Sequence, residues 1–366
     1  MARGGGSGTG YLHSVKGANG NDTLAPPAGA LLTQVAFDGG RGNDTLNLSN
    51  YGSGVQILID ESPKVLSTVT LRPFQGIAPG FYQLDSTTVK GSINNIENIV
   101  GTAFNDYLFA GSISTAKRID GGPGNDAINA LGALATSIGG TGSDWLMSTG
   151  VGTILIGGTY AGNVAVGDGE KDYFFVSSAP TILDFEVGID RLFFDNGGVT
   201  IASFETGQWL SDGAGGATFW VNGAKEVTLA NVGPLTAQGI ELGFLIAPTN
   251  GVTNSSPYDD MIFAQTGVVD RIVLDANDGD DVTIGFNLLT DILVFADGLV
   301  PEWSNSFVNG QEALVGTYAG GSITLPGLDT GDVAALHIEG PIAPPAFGSD
   351  AMGAWSVPSD ALLFLA

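Results

Sequence analysis

The sequence predicts an all-β protein in which a parallel β-roll, or β-helix, is followed by duplicated β-rich capping modules. Three observations carry that expectation. The nonapeptide G-G-x-G-x-D-x-U-x, with U a large apolar residue, recurs along the first half of the chain. Glycine reaches 57 of 366 residues, roughly twice its average share of about 7%, as a backbone dense in tight turns requires. Beyond residue 175 apolar and polar residues alternate in strand fashion, and one such stretch occurs twice. The expected organisation is an N-terminal segment over 1–16, a roll over 17–175 with an insertion near 51–100, and a first cap over 176–250. A roll remnant with a second cap follows over 251–340, then a tail over 341–366.

Gly39–Asn47 (GGRGNDTLN), Gly121–Asn129 (GGPGNDAIN) and Gly139–Met147 (GGTGSDWLM) match the nonapeptide fully, and Gly17–Ala25 (GANGNDTLA) lacks only the second glycine. Gly101–Phe109, Gly167–Phe175 and Ser255–Phe263 are weaker relatives, and Ala276–Ile284 is looser still. Gly121 and Gly139 stand 18 residues apart, and Gly157 opens a decayed copy another 18 on. Each nonapeptide supplies a six-residue turn and a three-residue strand, so two complete one coil and turns 18 apart stack on one edge. The U residues then point inward, with Ile128, Leu146 and Val164 expected as one internal ladder.

The turn chemistry points to calcium. That ion takes six to eight hard oxygen ligands, which stacked turns can supply from aspartate carboxylates and backbone carbonyls. Glycine lets those carbonyls converge, because it adopts backbone conformations that a Cβ opposes. Asp126 and Asp144 are the expected pair for one shared ion, with Asp22, Asp44 and Asp106 as ligands in neighbouring turns. Turn positions expected beside them are Asn21, Gly39, Arg41, Asn43, Gly121, Pro123, Asn125, Gly139, Thr141 and Ser143. In the Gly157 copy Gly162 stands where the aspartate would be, so the ion ladder is expected to end there, along a single edge.

These residues resemble the repeats-in-toxin family of secreted, hemolysin-type calcium-binding proteins. The resemblance covers residues 17–175 and implies a right-handed parallel β-roll that folds when it meets calcium. Uneven spacing before Gly101 and the one-sided repeat depart from the family pattern.

In the second half, Thr181–Phe194 (TILDFEVGIDRLFF) and Val282–Phe295 (VTIGFNLLTDILVF) share one frame, and Ala217–Leu242 corresponds to Ala313–Glu339. A roll leaves unpaired strand edges and an open apolar end, so a cap is physically required. Asp184, Asp190 and Asp291 are weaker candidates for calcium contact. Trp209, Trp220, Trp303 and Trp355 read chiefly as cap core, and as glycan contacts only on the alternative reading of an adhesin or carbohydrate-binding module.

The net charge of −26, with no Lys or Arg from Ile272 onward, repels nucleic acid and anionic lipid. The absence of cysteine excludes disulfides and thiolate zinc sites. Two histidines, His13 and His337, with no H-E-x-x-H and no G-x-S-x-G, argue against an enzyme. His337, in an alternating strand, is expected to be half-buried. No apolar run is long enough to span a membrane. The start, Met1–Lys16, lacks a signal-peptide apolar stretch, and the acidic-then-apolar end Ser359–Ala366 looks like a type I secretion signal. The expected partners are calcium ions and copies of the same chain, with cell-surface glycans on the alternative reading, at the cell surface or outside the cell.

Overall fold

The computed structural model describes residues 13–32, 35–59, 69–74, 92–110, 118–130, 134–148, 152–161, 164–176, 179–195, 206–240, 242–246, 251–264, 268–296, 299–308 and 311–339. Their architecture is all-β, built mainly from parallel ladders. The tail 341–366, Trp355 and the segment 1–12 lie outside the described residues, as does most of the insertion near 51–100.

Four parallel ladders organise the chain. The first holds His13–Lys16, Val35–Asp38 and Ser92–Asn94. The second begins with Thr23–Leu24, Thr45–Asn47 and Asn98–Val100, continues through Arg118–Pro123, Thr136–Thr141 and Ile154–Ile156, and reaches Thr181–Ile182. The third runs from Gly54–Ile59 through Tyr107–Ala110, Ala127–Ala130, Trp145–Ser148, Tyr173–Val176 and Arg191–Asp195. It continues without interruption through Leu242–Ile246, Met261–Phe263 and Gly279–Ile284. The fourth holds Val252–Asn254, Arg271–Leu274, Ile292–Phe295 and His337–Glu339. Parallel pairing therefore extends well past residue 175.

Strand residues alternate between faces, so one central residue per coil points inward. Ile57, Leu108, Ile128, Leu146, Phe174 and Leu192 stack in register through the third ladder, each at most 2% exposed. Val164 does not join them. It is 58% exposed, in the antiparallel hairpin of Thr159–Ala161 with Val164–Val166, and Phe174 takes the inward position above Leu146. The cause is an insertion: Asp144 and its stacked partner Asp172 are 28 residues apart, against 18 for Asp126 and Asp144. On its other face the third ladder buries Tyr107, Trp145, Tyr173, Phe175 and Phe193, with the Trp145 and Tyr173 rings 5.5 Å apart.

The duplication is visible in three dimensions. Thr181–Ile182 and Arg191–Asp195 flank a turn closed by Asp190 N–H donating to the Glu186 carbonyl at 2.9 Å. The counterpart, between Gly279–Ile284 and Ile292–Phe295, is closed by Asp291 N–H and the Asn287 carbonyl at 2.8 Å. Each unit then makes a three-stranded antiparallel meander whose last strand rejoins a parallel ladder. In the first unit these strands are Gln208–Ser211, Ala217–Val221 and Ala224–Leu229, the last pairing with Thr181–Ile182. In the second they are Glu302–Val308, Gln311–Tyr318 and Gly321–Pro326, the last pairing with Gly279–Ile284. The first meander thus closes the second ladder and the second closes the third. Two closures are needed because the third ladder outruns the second.

Trp209 packs against Phe219 at 5.0 Å between ring centres, and Trp303 meets Phe295 edge-on at 6.5 Å. Trp220 is 38% exposed. His337 is exposed rather than half-buried, because it lies on the outermost described strand of the fourth ladder.

Candidate metal centre

One aspartate precedes most strands of the third ladder, and these side chains are stacked by a repeated hydrogen bond. Each Oδ1 accepts the backbone N–H of the equivalent residue one coil earlier. Asp106 accepts from Val55, Asp126 from Asp106 and Asp144 from Asp126, each at 2.7 Å. Asp172 accepts from Asp144 at 2.8 Å and Asp190 from Asp172 at 3.1 Å. The stack does not end at the Gly157 copy, because the inserted hairpin delivers Asp172 to the vacated place. It resumes after Gly243, where Asp260 accepts from Phe244 at 3.1 Å and Asp281 from Asp260 at 2.9 Å.

The motif turns are distributed over two corners of the coil, not one. Those of Asp22 and Asp44 join the first ladder to the second, whereas those of Asp106, Asp126 and Asp144 join the second to the third. In the first corner Asp44 accepts from Asp22 N–H and Glu97 Oε2 accepts from Asp44 N–H, both at 2.7 Å. A second side-chain stack runs beside the aspartates. Asn21 Oδ1 accepts from Asn43 N–H at 3.0 Å, Asn105 Oδ1 from Asn125 N–H at 2.9 Å, and Asn125 Oδ1 from Ser143 N–H at 3.1 Å. The Arg41 carbonyl accepts from Gly20 N–H at 2.7 Å and that of Thr141 from Gly124 N–H at 2.8 Å. Gly39, Gly121 and Gly139 lie flat against their own aspartates: a Cβ at Gly121 or Gly139 would stand 2.1 Å from Oδ2 of Asp126 or Asp144. Pro123 closes the second-ladder strand that enters the Asp126 turn.

The second carboxylate oxygen divides these turns into two kinds. In one kind the backbone N–H four residues earlier donates to Oδ2 and the turn is closed on itself. Ala18 does this for Asp22 at 2.7 Å, Thr102 for Asp106 at 2.5 Å and Glu186 for Asp190 at 2.8 Å. Ser256 does so for Asp260 at 2.6 Å and Asn287 for Asp291 at 2.8 Å. In the other kind that position has positive φ: Gly40 at 92°, Gly122 at 97°, Gly140 at 122° and Asn277 at 71°. There the N–H is turned away, as at Gly140, which donates instead to the Gly157 carbonyl at 3.0 Å. The matching oxygens, Oδ2 of Asp44, Asp126, Asp144 and Asp281, are buried without a hydrogen-bond partner among the described residues. The second glycine of the motif is therefore the residue that leaves a carboxylate oxygen open.

Gly140→Ala tests this geometry, since its Cβ would meet the Gly122 carbonyl oxygen at 1.8 Å from a backbone at φ 122°. The expected loss is on the order of 2–5 kcal/mol, measured as a fall in the urea midpoint with calcium in excess.

Stacking carboxylates in a dry corner is electrostatically costly. Burial, then the neighbouring Asp106 charge, raises Asp126 well above the usual carboxylate range, and burial with Asp126 and Asp172 does the same to Asp144. Burial pushes Asp106 up to about 6, Asp190 to about 7 and Asp172 to about 9. A divalent cation fits this arrangement, because it would neutralise the stack and engage the open oxygens. Among the described residues no three acidic or histidine side chains gather closely enough to hold a metal alone. Backbone carbonyls of the turns would complete the donor set, and an all-oxygen set suits calcium.

Asp172, Asp260 and Asp281 were not among the expected ligands. Each occupies the aspartate position of a weak copy; Asp172 and Asp260 carry the usable signal of a large apolar residue two positions on (Phe174, Ile262), whereas Asp281 is followed there by Thr283.

No protein-family model and no curated protein matches the chain. No helix among the described residues is long and apolar enough to cross a membrane.

Proposed function

We propose that this is a calcium-dependent structural protein of the cell exterior, which folds on meeting calcium and assembles with copies of itself into a surface array, filament or matrix. The observation that carries the reading is the set of buried Oδ2 atoms, unpartnered among the described residues, at the three full motif turns, Asp44, Asp126 and Asp144. A carboxylate oxygen held this way is shielded from bulk solvent with no donor among the described residues, and a calcium ion would compensate its charge. The resemblance to repeats-in-toxin proteins agrees with that chemistry. Low calcium inside a cell would leave the acidic chain unfolded for export by a type I route, and calcium outside would drive folding.

Assembly is supported by the shape of the ladders. His13–Lys16 and His337–Glu339 are the outermost described strands of the first and fourth ladders; among the described residues no strand pairs with their outer edges, which suits end-to-end pairing.

Electron microscopy of the purified full chain with and without millimolar calcium tests the assembly. Ordered sheets or fibres are expected only with calcium. Monomeric particles in both conditions would defeat the assembly reading and return attention to the adhesin alternative.

A further inference from the structure

We propose a further calcium site that no glycine motif marks: the turn 275–281, with Asp281 and Asp278 as carboxylate ligands and the Tyr318 hydroxyl facing it from the next coil. The proposal takes only the choice of ion from the reading above.

Asp281 is fully buried, and its Oδ1 is committed to Asp260 N–H at 2.9 Å. Its Oδ2 has no partner among the described residues. The cause is local: Asn277, at φ 71°, holds the position that the second glycine holds in the motif turns. Asparagine is among the few residues that tolerate that backbone conformation, so the open carboxylate geometry arises here without glycine. A search for G-G-x-G misses it for that reason.

The second observation is independent of the acidic cluster. Tyr318, 7% exposed, has a buried hydroxyl with no hydrogen-bond partner among the described residues. Its strand, Gln311–Tyr318, turns into Gly321–Pro326, which pairs with the strand of Asp281 so that Ile323 lies beside Asp281. At that turn a Cβ on Gly320 would stand 2.6 Å from Asn277 Oδ1, so the two turns are in direct contact. The charges of Asp281, Asp278, Asp280 and Asp260 all act on the Tyr318 hydroxyl. The Tyr318 strand thus lies one strand beyond Gly321–Pro326 from the strand of Asp281, and the two buried oxygens are not hydrogen-bonded to each other.

Charge balance points to a cation. Asp278 accepts from Ser255 Oγ and Asp275 N–H, Asp259 accepts from Asp280 N–H at 2.9 Å, and all these acids crowd one turn pair. The chain has no Lys or Arg beyond Arg271. Arg271 is engaged with Glu339, Nη1 to Oε1 at 3.1 Å, and Arg191 Nε lies 3.4 Å from Asp259. Carboxylate, hydroxyl and carbonyl oxygens are hard donors suited to calcium, whereas structural zinc sites are built from thiolates and imidazoles, which this turn lacks.

Calorimetric calcium titration of the full chain tests the site. Asp281→Asn is expected to lower the number of bound ions by one, or to weaken one site roughly ten-fold or more, about 1.4 kcal/mol. The motif sites should keep their affinity, and melting in a chelator should be unchanged or raised, because a neutral amide replaces the buried carboxyl. Terbium used in place of calcium should show tyrosine-excited emission that Tyr318→Phe diminishes without removing the ion. An Asp281→Asn chain that binds as many ions as the natural chain with the same affinities overturns the proposal, since a water or a proton then satisfies the turn. Failure of the motif reading would look different: Asp44→Asn, Asp126→Asn and Asp144→Asn together would leave the titration unaltered.

Discussion

Removing calcium with a chelator at neutral pH is expected to abolish most of the β-structure of the roll, seen as loss of the far-ultraviolet β signal. Asp44, Asp126 and Asp144 are fully buried, and each has one oxygen without a donor among the described residues. Uncompensated, such charges cost several kcal/mol each, against a total stability of about 5–15 kcal/mol for an ordinary domain. Each ion present at 1,000 times its dissociation constant restores roughly 4 kcal/mol. A few such ions therefore suffice to decide whether the roll is folded. Asp126→Ala with Asp144→Ala breaks the stack at its centre, because each accepts the N–H of the preceding turn at 2.7 Å. The double variant should need more calcium to reach half its β signal and regain less of it at saturation. A chelated chain with an undiminished β signal would overturn the calcium requirement.

Acid is expected to replace calcium. In chelator, lowering the pH from 7 to 5 should restore β-structure that neutral pH had removed. The unfolded carboxyl value is 3.8, whereas in the fold Asp190 and Asp260 titrate near 7, Asp172 near 9 and Asp281 near 10. Between the unfolded and folded values the native chain holds more protons, so its stability falls as pH rises. The contribution is complete below the unfolded value and is lost through the folded ones, a window from about pH 4 to about pH 10. A carboxyl protonated in the fold at both pH values gains roughly 2–3 kcal/mol on going from pH 7 to pH 5. With saturating calcium the trend should reverse, because protons compete with the ion for the same oxygens. Circular dichroism against pH, with and without chelator, reads both slopes; a metal-free chain that loses structure on acidification would refute the buried-carboxylate account.

The two halves of the chain differed in how openly they could be read. The nonapeptide carries its own geometry, since glycine, aspartate and a large apolar residue at fixed offsets specify turn, stack and core together. Asp126 and Asp144 could therefore be paired from their spacing, and they are stacked in the fold. Val164 illustrates the limit. Its spacing from Leu146 was right, but a hairpin consumed that interval and Phe174 became the next inward residue. An insertion conserves the local pattern and changes what it stacks upon, which linear spacing cannot register.

What the sequence by itself determined is the all-β class, the position of the motif turns and the duplication of the second half. Each is encoded within a few consecutive residues, by backbone preference and by apolar alternation. Only the tertiary structure decided that the motif turns occupy two corners, that each meander closes a different ladder, and which carboxylate oxygens stay open. Those outcomes depend on residues brought together across coils: Glu97 beneath Asp44, Asp172 beneath Asp144, and Tyr318 beside the turn of Asp281. The physical reason is that a buried oxygen is satisfied or left open by whatever the neighbouring coil places against it.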